Sequence, residues 1–554
     1  MAAVLYLALA LATTWPLVGS CRSCLPLGTE PVATVPLFNV WTIWWNADRA
    51  AAGYQGYWDA PIFHPVRRTF AFSEPMPLTV AAAPIIWITG NRILAYNCLL
   101  LGALLFNGWI TFRLLRGMHY HWLVALSGGA MMELLPLVHS WLGVLELVPL
   151  FGVLWSLLAL YRISRRPTVT GGLVLGTALA CTYLMCAYYG LMMFVLLAVC
   201  GPWLVWRRAG RRRMWTALLP GVLAGGLLCF PVVWGQYAAI GEKAFHRPEA
   251  YLTRLSATVA DYNAAPWRPA VNIGLLADGD SHHGFRLCPG TIKLILAAAG
   301  LFWGLASWRR RDWTFFCLTL MGLAFLLSLG PRVQVWGWKP YLQLVDSVPG
   351  FAQVRNVFRA AVFVQVAVVL MAVMALQAGV TVTGYLHHSH WRRGLRGIII
   401  AVGILAVVEI LPPAQPLYAV PPLARNRGWI EWLRDQTPAE SVVVCVPLPF
   451  MPDVASYERE ACWMYWGTFH RRRMANGYSG FFPPSFTSLK MQMADFPAAA
   501  TVDRLAAIGV DYCVVKSDTY LGQQTRNRHG SDRRLIHVFH DRLAQMDIYR
   551  LMRP

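Results

Sequence analysis

The chain has 554 residues, 57% of them hydrophobic and only 14% charged, with 25 Trp, 45 Gly and 35 Pro. Soluble domains carry charge on roughly a quarter of their residues, so much of this exterior must face lipid instead of water. The same figures exclude a disordered chain, a coiled coil and a collagen-like fibre.

The formal charge of +21 would suit a nucleic-acid partner if it covered one folded domain. It does not. The residues from Pro412 onward hold about 17 basic and about 13 acidic side chains, and the excess lies upstream. There it forms short clusters between apolar runs: Arg162, Arg165 and Arg166; Arg207, Arg208 and Arg211 to Arg213; Arg309 to Arg311; Arg392, Arg393 and Arg396. Whole membrane spans would separate such clusters, which excludes a nucleic-acid face and fits the excess of Lys and Arg in cytoplasmic loops.

In chain order, the first apolar run reads as a span and not as a cleaved signal peptide, since it lacks a basic leader and a small-x-small site. Cys21 and Cys24 follow as a lone CxxC, too little for zinc and read as ordinary thiols or one local disulfide. Placing every Arg cluster inside predicts spans near 2–19, 93–115, 120–138, 141–161, 169–186, 188–206, 214–234, 291–308, 313–330, 358–384 and 396–411. The stretch 76–89, with Pro75, Pro77 and Pro84, is too short and too interrupted to cross and reads as an interfacial helix. The N-terminus then lies inside. Segments 20–92, 236–290 and 412–554 lie outside. In the last of these, helical GWIEWLRDQ precedes the apolar β-run SVVVCVPLP, and helical DRLAAIG precedes VDYCVVK, LIHVFHD and DIYRLM, a pattern that predicts a small α/β domain.

Chemistry concentrates in the first outer loop, whose acids Glu30, Asp48, Asp59 and Glu74 are candidates for general-base work near apolar walls. Alternatively Asp48 pairs with Arg49 and Glu74 caps the helix that follows. Trp41, Trp44 and Trp45 either stack on sugar rings or form an interfacial belt, the commoner use of indoles at a membrane. Glu133, Glu146 and Glu409 fall in or near spans, where a carboxylate must face a partner, a cavity or the interface. Glu133 and Glu146 flank His139 and could border an outward cavity. Arg355 and Arg359 are spaced to sit one helical turn apart at the start of a span, as a bidentate phosphate clamp or as snorkelling cations. The run HRRRMANGYSGFFPP, 470–484, joins three Arg to a Gly and Pro turn system. No Walker loop, HExxH, GxSxG or paired CxxC is present, which leaves nucleotide-driven transport, zinc proteolysis and hydrolase chemistry without a motif.

The strings LGTE, PLFN, WWNADR, YWDAPIF, FAFSEPMPLT, LAYN, PGFAQVRNVFR and NGYSGFFPP, together with the order of span, acidic outer loop, many spans and outer domain, resemble a bacterial group related to the C-type glycosyltransferase superfamily (GT-C). The resemblance implies a polytopic α-helical membrane protein of about 11 transmembrane helices, with a GT-C-like part at 1–411 and an extracytoplasmic α/β domain at 412–554. It implies residence in a bacterial inner membrane and transfer of a sugar from a polyprenyl-phosphate donor to an envelope acceptor. In GT-C enzymes an acid of the first outer loop is the base. Here Glu30, Asp48 and Asp59 are the catalytic candidates; Val35 stands where related chains carry an acid before the Leu-x-Asn element, which favours Glu30. Arg355, Arg359, Asn39, Trp45 and Glu74 are the substrate-binding candidates. The partners implied are the polyprenyl-phosphate sugar and membrane lipids, with protein partners unspecified. No cofactor is required, although two converging acids could hold a divalent metal. The competing classes are a flippase for lipid-linked saccharides working through Glu133 and Glu146, and a non-catalytic envelope-assembly scaffold.

Overall fold

A computed structural model describes residues 1–240, 247–267, 284–385, 388–451, 453–527 and 534–553. The chain divides into two compact units: Met1–Val18, Leu100–Val233 and Phe245–Gln415 form the first, and Gly19–Leu99, Trp234–Ala244 and Pro416–Pro554 the second.

The first unit is helical. All eleven expected spans contain helix, and among the described residues seven helices are long and apolar enough to cross a bilayer: Arg92–Gly117, Trp122–Ser140, Leu145–Arg165, Ala187–Arg207, Arg212–Ile240, Arg311–Arg332 and Val357–Thr383. Four expected boundaries differ. The first helix stops at Thr13, just before Pro16, instead of running to 19. The segment 120–138 breaks after Glu133 because Leu135, preceding Pro136, is forced out of the helical region to ψ 125°. In 141–161 continuous α-helix begins only at Phe151, after the Gly143 and Pro149 stretch. The final helix is shifted to Ser389–Val408. The stretch 76–89 forms a 3-10 turn, Pro77–Ala82, and a short helix, Ala83–Thr89.

Gly172 and Gly176 set one helix contact. A Cβ on Gly172 would lie 1.8 Å from the Ala217 carbonyl oxygen, and one on Gly176 would lie 2.0 Å from that of Gly221, so the helices Val169–Met185 and Arg211–Ile240 touch through backbone. The far side of Arg211–Ile240 exposes Val222, Leu223, Leu227 and Phe230, a surface suited to lipid.

The second unit joins the first loop to the C-terminal segment. Residues 20–92, which the sequence groups with the membrane part, pack with 416–553 instead. Strand β1 (Cys24–Pro26) pairs antiparallel with β2 (Leu417–Ala419). The five-stranded sheet has the order β4-β3-β5-β7-β6, built from β3 (Val442–Val446), β4 (Arg473–Met474), β5 (Tyr512–Lys516), β6 (Leu535–Asp541) and β7 (Met546–Leu551). Strands β4, β3 and β5 are parallel, and β7 and β6 add antiparallel. Every residue of β3 is buried, as its unbroken apolar run requires of a strand covered on both faces. The first loop is not irregular: Thr34–Ala51 is an 18-residue helix packed against the helix Glu458–His470.

Candidate functional site

Within the second unit, nearly every first-loop string meets a C-terminal one. Phe63 N–H donates to the Asn476 carbonyl at 2.9 Å and His64 N–H to that of Met474 at 2.9 Å, so YWDAPIFHP extends alongside MAN. The Asn476 amide mimics a strand residue, accepting from Cys445 N–H at 2.6 Å and donating to its carbonyl at 2.9 Å. Phe38 of PLFN meets Tyr478 edge-on at 5.5 Å. Buried Asn46 donates to the carbonyls of Pro75 and Met76 and to Thr79 Oγ1, and accepts from Tyr57 Oη at 2.8 Å. Both motif glycines are explained by crowding. A Cβ on Gly477 would stand 2.7 Å from the Phe63 ring, and one on Gly480 would stand 2.9 Å from the Phe72 carbonyl oxygen.

The three Arg of 471–473 are committed to this packing. Arg471 reaches Asp48 at 3.2 Å. Arg472 is buried and ties down the end of the helix Leu423–Gln436 through Leu433, Arg434 and Thr437 oxygens, and Arg473 binds the Glu440 carbonyl. Beneath them, Glu460 accepts from Gly477 N–H at 2.7 Å, and burial pushes its carboxyl up to about 8. Burial and Arg472 likewise push His470 down to about 3.

The loop candidates are differently placed. Asp48 is nearly buried and bridges Arg49, whose Nε donates at 3.0 Å, and Arg471. Asp59 is exposed and accepts the Arg68 N–H at 2.9 Å. Glu30 is half-buried in the turn after β1, its N–H bonded to the Leu27 carbonyl; Glu74 is half-buried beyond the 3-10 turn Thr69–Phe72. Asn39 is buried in the helix Thr34–Ala51. The expected tryptophan belt is not found. Trp41, Trp44 and Trp45 are 2%, 4% and 5% exposed, because the helix carrying them is apolar on most of its faces and enclosed. Trp45 lies parallel to Trp41, donates from Nε1 to the Tyr57 carbonyl, and has Arg49 4.6 Å above its ring, so it offers no open face to a sugar.

In the first unit, the expected spacing of Arg355 and Arg359 on one helix turn is not found. Residues 354–356 are non-helical between two 3-10 turns, Phe351–Gln353 and Val357–Ala360, and the α-helix begins at Ala361. Arg355 is half-buried, whereas Arg359 is 4% exposed. The Arg359 guanidinium lies over the Tyr188 ring at 4.5 Å, its Nη1 is 3.9 Å from Glu146 Oε1, and its buried Nε has no hydrogen-bond partner among the described residues. Arg247 completes the group: its Nε donates to the Gln353 carbonyl at 3.3 Å, and it senses both Tyr188 and Arg355, while burial lowers its pKa. Arg247 and Tyr188 escaped the sequence reading. Their only signals were a cation before Pro248 in a long loop and an AYYG step between two apolar runs.

Glu133 ends its helix fully buried, with both carboxylate oxygens lacking a partner among the described residues; His139 Nε2 approaches the Glu133 carbonyl at 3.2 Å. Gly108 leaves room for the carboxylate, since a Cβ there would be 2.7 Å from Oε2. Glu409 accepts from Ile292 N–H at 3.0 Å and meets buried Lys293 across Gly290, which reads as a structural tie.

Among the described residues no group of three or more His, Cys, Asp and Glu is placed to hold a metal ion. Asp48 and Asp59 have separate partners and do not converge, so the residues present do not fit the divalent ion considered above.

Together the apolar helices and the unit built on the first loop define a polytopic helical membrane protein. No family model and no curated protein matches the sequence. Among solved structures, the arabinofuranosyltransferase AftD from Mycobacteria superposes with a TM-score of 0.61 at 15% identity, covering 100% of this chain and 40% of that one. A second AftD structure gives 0.57 at 16% identity, covering 99% and 41%. ArnT from Cupriavidus metallidurans bound to undecaprenyl phosphate overlaps at 0.45 and 14% identity, covering 99% and 97%. The chain thus spans about two fifths of the AftD length and shares its fold.

Proposed function

We propose that the protein is a membrane glycosyltransferase that moves a sugar from a polyprenyl-phosphate donor to an acceptor of the bacterial envelope, at the outer face of the inner membrane. The observation that carries this reading is Arg359: a buried guanidinium with an unused Nε, over the Tyr188 ring that Arg247 also senses, is suited to a phosphate oxyanion. The GT-C-like fold supports the same reading by analogy.

Chemically, the acceptor oxygen attacks the anomeric carbon as the bond from that carbon to the phosphate oxygen breaks, and a carboxylate takes the acceptor proton. The leaving polyprenyl phosphate carries the new negative charge, which Arg359, Arg355 and Arg247 offset. Attack opposite the leaving group inverts the anomeric centre. Glu30 holds the base role in this account, as the first-loop acid favoured by Val35 standing where related chains carry an acid. Asn39 and Trp45, enclosed in the helix Thr34–Ala51, act on substrate only by holding that helix; Glu74 is retained as a substrate contact.

Amide substitution tests the assignment. With purified protein in lipid and a polyprenyl-phosphate sugar, Glu30→Gln should lose at least about a hundredfold in transfer rate, as removal of a general base does, while Asp59→Asn stays within a few fold. Equal losses in both variants, or none in Glu30→Gln, would remove Glu30 from the role.

A further inference from the structure

We propose that Glu146 is a resident counter-ion of the phosphate site, holding Arg359 in place while the site is empty and giving it up when the phosphate arrives. The inference rests on the glycosyltransferase reading and adds a regulating residue to that site.

The geometry is unusual for a buried ion pair. A guanidinium that is 4% exposed needs a partner, because desolvation of a lone cation costs several kcal/mol. Glu146 supplies opposite charge, but at 3.9 Å it is outside hydrogen-bond range, and Nε is left without an acceptor among the described residues. Among the described residues the cation is therefore compensated by the Glu146 field and by the Tyr188 face, with no hydrogen bond at Nε. A pair selected for stability alone would close to a bidentate fork near 2.8 Å.

Charge balance points the same way. Tyr188 lies beside both Arg247 and Arg359, and Arg247 in turn senses Arg355 as a like charge, so positive charge accumulates near one ring. Glu146, whose side chain is 13% exposed, is the carboxylate ion-paired to Arg359. A phosphate monoester offers several oxygens to Nε and Nη and outcompetes a carboxylate held at arm's length. Once it is bound, Glu146 repels it. Glu146 thereby lowers affinity for the lipid phosphate and speeds its departure, which matters for an enzyme whose lipid product keeps the phosphate that its donor carried. Both residues sit on short 3-10 turns, Leu145–Leu147 and Val357–Ala360, and not inside rigid helix, so a small shift can exchange the partners.

The test is equilibrium binding of a polyprenyl phosphate to the full chain in nanodiscs, with polyprenol and inorganic phosphate as comparison ligands. Arg359→Gln should weaken binding about tenfold or more, and Glu146→Gln should tighten it about threefold to tenfold, with no tightening in the double variant. Glu146→Ala should behave as Glu146→Gln, which guards against a folding artefact in either. Polyprenol binding should be indifferent to both positions. Inorganic phosphate should not saturate at the concentrations where the lipid does. If Arg359→Gln weakens binding but Glu146→Gln weakens it too or leaves it unchanged, the counter-ion role is wrong and the phosphate site stands. If Arg359→Gln leaves polyprenyl phosphate binding intact, or inorganic phosphate binds equally well, the lipid-phosphate reading itself fails.

Discussion

Replacing Gly477 with alanine places a methyl group 2.7 to 2.8 Å from three carbons of the Phe63 ring, where ordinary contact begins near 3.4 Å. The ring has little room to retreat. Phe63 is 1% exposed, packs edge-on against Phe482 and Phe486 at 6.1 and 4.9 Å, and has its backbone pinned to Asn476. Overpacking of this kind costs about 1–3 kcal/mol. For a unit of this size, each kcal/mol moves the midpoint by about 2–4 °C, so Gly477→Ala should lower thermal unfolding by roughly 2–12 °C. Intrinsic tryptophan fluorescence in detergent reads the transition, and limited proteolysis of the first loop reads its release. Phe63→Leu removes the obstructing ring edge, so the double variant should be more stable than the sum of the two single losses by at least about 0.5 kcal/mol. A Gly477→Ala protein melting with wild type, or strict additivity with Phe63→Leu, would refute the packing of the first loop on the NGYSGFF segment.

Other expectations follow from the same geometry. Asp48→Asn should destabilise by about 1–2 kcal/mol, mostly by unpairing the less exposed Arg49, since exposed Arg471 contributes little; transfer should survive at a reduced level, measured in the same lipid assay. The folded pKa of Glu460 near 8, against 4.5 for an ordinary Glu, means that the folded chain keeps a proton the unfolded chain has lost. Stability from this group is therefore complete below about pH 4.5 and declines as pH rises to about 8, and denaturant titrations of Glu460→Gln should show that slope flattened. Gly176→Leu drives a side chain into the Gly221 backbone, which cannot yield, and should abolish accumulation of folded protein in the membrane. Glu133→Gln should leave transfer intact and not lower stability, since the carboxylate has no partner to lose among the described residues; collapse of activity would favour the flippase reading.

Much of the helical unit is legible in the sequence because bilayer thickness imposes length and apolarity on each span. Pro136, which the expected span 120–138 ran through, is the local cause of its break. The strands VVVCV and YCVVK are legible for a similar reason, as short β-branched runs flanked by turns. What could not be read is long-range. The association of residues 20–92 with 416–553 depends on contacts such as Phe63 with Asn476, which no local pattern encodes. The helix Thr34–Ala51 was hidden because Trp and Asn suggest an interfacial loop when they are in fact packed against the helix Glu458–His470. Arg359 was singled out from its type and position, but its spacing to Arg355 misled, since a helical register was assumed where 3-10 turns and a break occur. Arg247 joins the cluster from more than a hundred residues away along the chain.

The most direct measurement of the central claim is conversion of a radiolabelled panel of polyprenyl-phosphate sugars by the purified chain in lipid bilayers, supplemented with envelope lipid and glycan extracts. Label moving from lipid to acceptor, with stoichiometric free polyprenyl phosphate and with loss of both signals in Arg359→Gln, is the predicted result. Folded protein that releases no polyprenyl phosphate from any donor, with every extract present, would contradict the enzyme and return the protein to the scaffold class.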